Sequence, residues 1–317
     1  MAATNMQPDE LDIDAALVER LVAGRFPAWA GLAVRAVESA GTDNAMFRLG
    51  DELVVRLPRV PYAARQVEKE QRWLPLLAPH LPLEVPVPVG RAEEGAEFPL
   101  PWSVYRWLDG GDAFDAPIAD LGHAAVELGR FGKALRGVDA RGGPASFRGG
   151  PVTEWEGGHL PGAVRALAAE GVVNAELAIA AWESVLRLPQ WEGPPVWVHA
   201  DLLPGNLLTR DGRLSAVIDF GGLGVGDPAC DMMPAWSLLT AGTREAFREE
   251  SGADDATWAR GRGWALAWGL VTEDYYRVTN PVLAEVARRT RTEALAEFAE
   301  FPEFAEFTEF AEFTDGV

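Results

Sequence analysis

One stretch of the sequence gathers side chains whose oxygen atoms could bind a metal ion. Asp211 and Gly212 form a strong turn signal between two apolar runs, which predicts a β-hairpin. With the turn centred on these residues, Asn206 faces Val217, and Asp219 is its diagonal neighbour on the same face. An amide oxygen and a carboxylate then converge with room for water, which suits Mg²⁺ held by protein oxygens and phosphates. The spacing therefore predicts a magnesium site.

A second carboxylate, Asp201, precedes this pair in the sequence. The predicted hairpin leaves Asp201 in the loop before its first strand, where a general base could reach the hydroxyl of a substrate. Any one of these residues alone could be an ordinary polar side chain of a hairpin. Their combination indicates a reaction centre.

A third carboxylate, Glu70, lies on the apolar face of a helix predicted over residues 62–78. Val67 and Leu74 stand on the same face, so the Glu70 side chain is directed inward. Because a buried carboxylate usually needs a cation, we expect a partner, and Arg56 at the end of the preceding strand is the nearest candidate. The alternative is a carboxylate that reaches the surface.

The elements around these residues divide into two groups. Alternation over residues 31–57 predicts a small antiparallel sheet, and further strands are indicated at 86–89 and 102–108. After Ile118 helical periodicity dominates, interrupted by the hairpin. The fold class is therefore α+β. We expect a β-rich first lobe, a hinge, a mainly helical second lobe and a low-complexity tail, at residues 1–104, 105–111, 112–296 and 297–317.

The motifs resemble a known family. His199-x-Asp201-x-x-x-x-Asn206, then Ile218-Asp219-Phe220-Gly221 and Gly226-Asp227-Pro228-x-x-Asp231, are similar to the antibiotic kinases of the aminoglycoside phosphotransferase family, relatives of the protein kinases. The resemblance covers residues 30–296 and implies a bilobal, protein-kinase-like fold. It also implies that Asp201 is the catalytic base, that Asn206 and Asp219 bind Mg²⁺ and that His199 buttresses the catalytic loop. Asp231 is expected to cap a helix beginning near Met232.

The same resemblance implies a site for ATP or GTP in the first lobe. Arg56 occupies the position of the phosphate-gripping lysine, and Glu70 is the helix carboxylate that orients it. The nucleotide-covering loop and the purine-binding hinge complete the site: Gly41, Thr42, Asp43 and Asn44, and Tyr105, Arg106, Trp107 and Leu108.

The acceptor is expected to be a small hydroxylated molecule. Only four residues separate Gly221 from Gly226, which leaves no room for a long activation loop, so a protein substrate is disfavoured. The second lobe is rich in tryptophan, and carboxylates lie among these aromatics. Besides Asp201, the candidate acceptor-binding residues are Glu154, Trp236, Trp268, Glu273 and Asp274.

Charge favours a cationic acceptor. The chain has a formal net charge of −20, which repels nucleic acids and attracts cations. We therefore expect a cationic antibiotic of the aminoglycoside or basic peptide type. The alternatives are a macrolide kinase, a kinase of a metabolite such as choline, homoserine or a sugar derivative, and an inactive relative that only binds.

Amino-acid composition excludes some kinds of site and indicates a cellular compartment. A single cysteine, Cys230, excludes an internal disulfide, and no cysteine cluster could hold zinc. The N-terminus is acidic and no long apolar run is present, so we expect a cytoplasmic protein without membrane partners. The sequence leaves the oligomeric state open.

The C-terminal tail repeats Glu-Phe-X and contains Pro302. A period of three drifts around an α-helix, so the phenylalanines would not form one fixed stripe. We interpret residues 297–317 as an accidental extension whose removal would change little. The alternative is a segment that binds a partner or promotes oligomerisation.

Overall fold

The first lobe is a five-stranded antiparallel sheet with two helices. The computed structural model describes residues 11–37, 43–114, 116–155, 158–304 and 307. The strands are β1 (Val34–Ala36), β2 (Asn44–Leu49), β3 (Leu53–Pro58), β4 (Pro88–Ala92) and β5 (Trp102–Arg106), in the order β1-β2-β3-β5-β4. The helices are α1 (Ala15–Arg25) and α2 (Ala64–Leu77). Strands β2 and β3 form a hairpin that turns at Gly50, whose φ of 61° favours glycine.

Helix α2 carries the inward-facing carboxylate that its sequence pattern predicts. Val67, Leu74 and Leu77 are buried on one face, and Glu70 on that face is only 1% exposed. Pro75 lies in the last turn, where the helix is about to end. The helix thus presents a charged group to the sheet.

The second lobe is mainly helical, with two small sheets that hold the predicted motifs. Its helices are α3 (Leu121–Arg136), α4 (Val152–Trp155), α5 (Leu160–Ala169), α6 (Ala175–Leu186), α7 (Pro234–Ser237), α8 (Ala241–Ser251), α9 (Asp255–Tyr276) and α10 (Pro281–Ala299). Its strands are β6 (Gly111–Asp112), β7 (Val196–Val198), β8 (Leu207–Arg210), β9 (Arg213–Val217) and β10 (Gly224–Gly226). Strand β8 pairs with β6 and β9, and β7 pairs with β10. The predicted α+β class, with a β-rich first lobe and a mainly helical second lobe, is confirmed.

The predicted hairpin forms, but its register differs from the expectation beyond the turn. Arg210 pairs with Arg213 as predicted, whereas Val217 pairs with Leu207 and not with Asn206. The pairing shifts between Leu208 and Thr209 because the opposing strand carries a β-bulge. Asn206 therefore lies just outside the ladder, at the end of a 3₁₀ turn over Pro204–Asn206.

The C-terminal segment begins as part of the core, which corrects its interpretation as an accidental extension. Helix α10 runs through residue 297 to Ala299, and Phe298 and Phe304 are 2% and 4% exposed. Their rings meet edge to face with centroids 5.8 Å apart. Glu297 accepts hydrogen bonds from Trp236 and Arg262 at 2.8 and 2.9 Å. The first residues of the repeat thus pack on the second lobe, whereas residues 308–317 lie outside the described residues.

Across the parts of the chain that the structure describes, every helix is too short or too polar to cross a membrane.

Candidate active site

The loop after β7 carries the first of the predicted residues. His199 is fully buried, and its Nε2 lies 3.0 Å from the carbonyl oxygen of Ile218. Its Nδ1 accepts the N–H of Asp201 at 3.2 Å, so Nε2 carries the ring proton. The ring also meets Phe220 at 4.6 Å between centroids. His199 therefore joins the loop to the strand end before Asp219, and its burial keeps it away from a substrate.

Asp231 supports the same loop from the opposite side, which corrects its expected role as a helix cap. Its carboxylate accepts the N–H groups of His199 and Ala200 at 2.9 and 2.7 Å. Helix α7, which begins at Pro234, has no side-chain cap, and Asp227 caps the 3₁₀ helix over Pro228–Met232 by accepting from Ala229. Burial raises the pKa of Asp231 above its ordinary value, against the favourable effects of His199 and these two N–H donors. Ala200 has a φ of 68°, and this pair of hydrogen bonds holds the uncommon conformation.

Asp201 lies between two donors and remains open to solvent on one side. Its Oδ1 accepts from Arg148 Nη1 at 2.6 Å, and its Oδ2 accepts from Asn206 Nδ2 at 2.8 Å. The side chain is 27% exposed, whereas that of Arg148 is 7% exposed. No local sequence pattern indicated Arg148, which comes from a distant loop.

The two predicted metal ligands offer hard oxygen atoms. Asn206 Nδ2 also donates to the Asp201 carbonyl at 2.8 Å, which leaves the amide oxygen of Asn206 for another partner. Asp219 is 43% exposed, and its Oδ2 makes no hydrogen bond or ion pair within the described chain. The backbone joins the two residues, because Ile218 N donates to Asn206 O at 2.9 Å. One amide oxygen and one carboxylate fit Mg²⁺, which takes few protein ligands alongside phosphates.

Arg56 connects the two lobes at the centre of the cleft. Its Nη1 lies 2.7 and 2.8 Å from the two carboxylate oxygens of Glu70, and its Nη2 lies 2.8 Å from Asp219 Oδ1. The pairing that the sequence indicated for Glu70 is therefore present. Tyr105 adds a hydrogen bond of 2.5 Å to Glu70. The guanidinium is thus held between a carboxylate of α2 and one of the second lobe.

The charges in this cluster shift one another's pKa. Burial alone would raise the pKa of Asp219, but Arg56 and the N–H of Gly221 outweigh it and hold that pKa below its ordinary value. Burial would lower the pKa of Arg56, but Glu70 and Asp219 raise it instead. Burial, followed by the charge of Glu70, raises the pKa of Tyr105. At neutral pH Asp219 is therefore ionised, Arg56 is charged and the phenol of Tyr105 is neutral.

The predicted nucleotide-covering loop is described only in part, because Gly41 and Thr42 lie outside the described residues. Asp43 accepts from Tyr62 at 2.6 Å and from Gln66 at 3.3 Å. With its amide oxygen turned toward Arg56, Asn44 accepts from Nη2 at 2.9 Å and from Nε at 3.2 Å. Sequence reasoning missed Gln66, which stands between this loop and Arg56.

In the predicted hinge, two backbone N–H groups that could bind a purine are already used within the protein. The N–H groups of Arg106 and Trp107 donate to Val87 and Glu52 at 3.2 and 2.8 Å, because β5 continues its pairing there. Tyr105 turns its side chain toward Glu70 and not toward a purine. In this segment the N–H of Leu108 makes no backbone hydrogen bond within the described chain.

Three of the predicted acceptor-binding residues belong to the core. Trp236, Trp268 and Glu273 are 0%, 3% and 7% exposed, and Glu273 pairs with Arg291. Trp268 and Glu273 are buried because neighbouring helices cover most of α9, and Trp236 lies in α7, whose residues are all buried. Asp274 pairs with Arg277 at 3.3 Å. Glu154 is exposed on α4, so it alone of the predicted acceptor residues outside the catalytic loop is unburied and carries no ion pair within the described chain.

Helix α9 ends in two adjacent tyrosines, Tyr275 and Tyr276. Burial, then Tyr275, then the Asp43 carboxylate raise the pKa of Tyr276. The Tyr275 and Tyr276 rings meet edge to face at 4.7 Å, and Tyr275 is 73% exposed. Of this aromatic pair, Tyr275 is therefore open to solvent, and Tyr276 is half-buried.

Comparisons with known proteins agree with this geometry. A model of the phosphotransferase enzyme family matches residues 34–264. The GDP complex of wild-type aminoglycoside 2'-phosphotransferase-IIIa is 17% identical with a TM-score of 0.67, covering 90% of this chain and 99% of that one. Macrolide 2'-phosphotransferase MphH from Brachybacterium faecium is 25% identical with a TM-score of 0.57, covering 87% and 97%. No curated protein sequence matches the chain.

Proposed function

The chain belongs to the phosphotransferase enzyme family, and from this premise we propose that it transfers the γ-phosphoryl group of ATP or GTP to a hydroxyl of a small molecule. One observation carries the proposal. Asp201 and Asn206 are hydrogen-bonded to each other, and Asn206 O accepts from the N–H of Ile218, next to Asp219. Asp201 keeps unused lone pairs on its solvent-exposed side, whereas the amide oxygen of Asn206 and Oδ2 of Asp219 have no partner within the described chain. These are the groups that phosphoryl transfer requires, a base for the acceptor and oxygen ligands for the ion that accompanies the phosphates.

Asp201 performs the proton transfer. Its carboxylate accepts the proton of the acceptor hydroxyl while the acceptor oxygen bonds to the γ-phosphorus and the bond to the β–γ bridging oxygen breaks. The products are the phosphorylated acceptor, the nucleoside diphosphate and one proton. Mg²⁺, when bound by Asn206 and Asp219, would neutralise phosphate charge. Arg56, held in place by Glu70, provides a fixed cation for the phosphates.

The acceptor favoured by the structure is a large, mostly apolar molecule of the macrolide type. The carboxylates that argued for a cationic drug are largely neutralised, since Glu273 and Asp274 pair with arginines. Exposed apolar surface is present instead, at Phe147 next to Arg148 and at Tyr275, which are 50% and 73% exposed. The 25% identity to a macrolide 2'-phosphotransferase supports the same choice. Such an activity would inactivate the antibiotic and confer resistance.

An aminoglycoside is the second candidate because the net charge of −20 attracts polycations. Capture by exposed carboxylates weakens with ionic strength, whereas capture of a mostly apolar macrolide responds little. The KM of the best acceptor at low and high salt therefore separates the two candidates.

In the experiment, each compound of a panel of macrolides and aminoglycosides is incubated with the purified protein and ATP or GTP. Phosphorylated products are detected by mass spectrometry. Asp201→Asn should lower kcat about 10²- to 10⁴-fold with little change in nucleotide affinity, because the base acts on the acceptor. A wild-type protein that phosphorylates nothing in the panel, or an Asp201→Asn variant with normal turnover, would refute the proposal.

A further inference from the structure

We propose that Arg148 is a positioning residue for Asp201, fixing the orientation of the carboxylate that receives the acceptor's proton. The inference rests on the proposed function, because it assigns a role to Arg148 in that reaction. The catalytic loop itself, residues 199–206, contains no lysine or arginine. The cation that contacts Asp201 instead comes from the segment between α3 and α4.

The segment that carries Arg148 is firmly attached to β10. Val225 N donates to Pro144 O at 2.7 Å, and Ser146 N donates to Val225 O at 3.1 Å. The Ser146 hydroxyl donates to Gly222 O at 2.9 Å. Gly149 approaches the β10 backbone so closely that a Cβ atom would lie 2.8 Å from Val225 O. Arg148 is thus presented from a rigid support, which a positioning residue requires.

Arg148 holds the catalytic loop at two adjacent points. Its Nη1 donates to Ala200 O at 2.7 Å and to Asp201 Oδ1 at 2.6 Å. Asp231 accepts the N–H groups on the other side of the same loop. The uncommon backbone conformation of Ala200 is therefore held from both sides, and the position of Asp201 follows from it.

The two oxygens of Asp201 are fixed by different partners. Arg148 binds Oδ1 and Asn206 binds Oδ2, so the carboxylate plane is defined by both donors together. A carboxylate offers about four lone-pair sites, and two remain for the acceptor hydroxyl on the exposed side. Without Arg148 only the hydrogen bond from Asn206 to Oδ2 restrains the carboxylate, and one donor does not define its plane. The acceptor hydroxyl would then meet the base in the wrong orientation.

The test compares Arg148→Ala with the wild-type enzyme at saturating nucleotide. We expect kcat to fall about 10- to 100-fold, since misplacing a reacting group by an ångström costs about that much. The KM for the nucleotide should stay unchanged, because Arg148 contacts the base and not the nucleotide-binding residues. Free guanidinium at a non-denaturing concentration should restore part of kcat by filling the vacated position.

A matched control separates positioning from folding. Arg244 is also buried, at 8% exposed, and likewise donates to a carbonyl, Ala235 O at 2.7 Å, and to a carboxylate, Glu293. Arg244→Ala should lower the melting temperature, and free guanidinium should not increase the kcat of this variant. Should Arg148→Ala not fold, Arg148→Lys decides, because it keeps the charge but not the planar guanidinium.

The outcomes are distinct. A reduced kcat with unchanged nucleotide KM and guanidinium rescue supports the role of Arg148. Wild-type kcat in Arg148→Ala, or in Arg148→Lys when the alanine variant is unfolded, overturns it, as does a loss of kcat that matches Arg244→Ala and shows no rescue. A wild-type enzyme that phosphorylates no acceptor overturns the proposed function as well.

Discussion

The ion pair between Arg56 and Glu70 can be measured as a coupling energy. Their side chains are 11% and 1% exposed, so removing one partner leaves a charge in a poorly solvated place. Breaking such a buried pair typically costs about 3–5 kcal/mol. In Arg56→Ala, Glu70 keeps only the hydroxyl of Tyr105, whereas in Glu70→Ala, Arg56 keeps Asp219 and Asn44. We therefore expect Arg56→Ala to be the more destabilising single change.

The double variant should be more stable than the sum of the two single losses predicts. Removing both charges together leaves none stranded, so the coupling should be about 1–3 kcal/mol. The assay is urea unfolding of the four proteins, with nucleotide KM measured in parallel. The exposed pair Arg20–Glu97, at 58% and 57% exposure, is the control and should show about 0–1 kcal/mol. Additive losses at Arg56 and Glu70 would refute the reasoning.

Three further predictions concern other parts of the chain. Asp219→Ala should abolish magnesium-dependent nucleotide binding in a calorimetric titration, and unchanged binding would remove Asp219 as a ligand. Phe304→Ala should lower the free energy of unfolding by about 3–5 kcal/mol, well beyond the partly buried Phe301→Ala, and equal effects would contradict the packing. Because the pKa of Asp219 lies below its ordinary value, its contribution to stability is present above that value and lost as pH falls through the folded pKa. Asp219→Asn should therefore weaken the acid dependence of unfolding, and an unchanged acid profile would show that Asp219 does not contribute.

Features that are encoded in short stretches of the sequence could be predicted from it. The turn at Asp211 and Gly212 predicted the hairpin, and the position of Glu70 among apolar residues predicted its pairing with Arg56. The predicted hairpin register was wrong beyond the turn because the second strand carries a β-bulge, at the place where Glu84, far away in sequence, bonds to Ser215 and Val217. A contact between residues so far apart in the sequence does not change the alternation of apolar and polar residues in the strand, so that alternation cannot predict it.

The other differences also come from tertiary packing. Helix α9 is buried around most of its circumference, so periodicity could not show that Trp268 and Glu273 face neighbouring helices and not a pocket. Arg148 reaches Asp201 from 53 residues away, beyond any local spacing. The start of the Glu-Phe repeat completes α10, and its burial depends on partners such as Arg262, over the rings of Phe298 and Phe301.

Strand β10 has a consequence for control of the enzyme. It begins three residues after Gly221, and in it Gly224 pairs with Val198 and Gly226 pairs with Val196. At both glycines a Cβ atom would overlap the backbone of the segment that carries Arg148. A molecular switch needs a second conformation of comparable free energy, and such tight backbone packing disfavours one here. The rate of product formation should therefore depend on the amount of this protein that is synthesised and on the concentrations of nucleotide and acceptor.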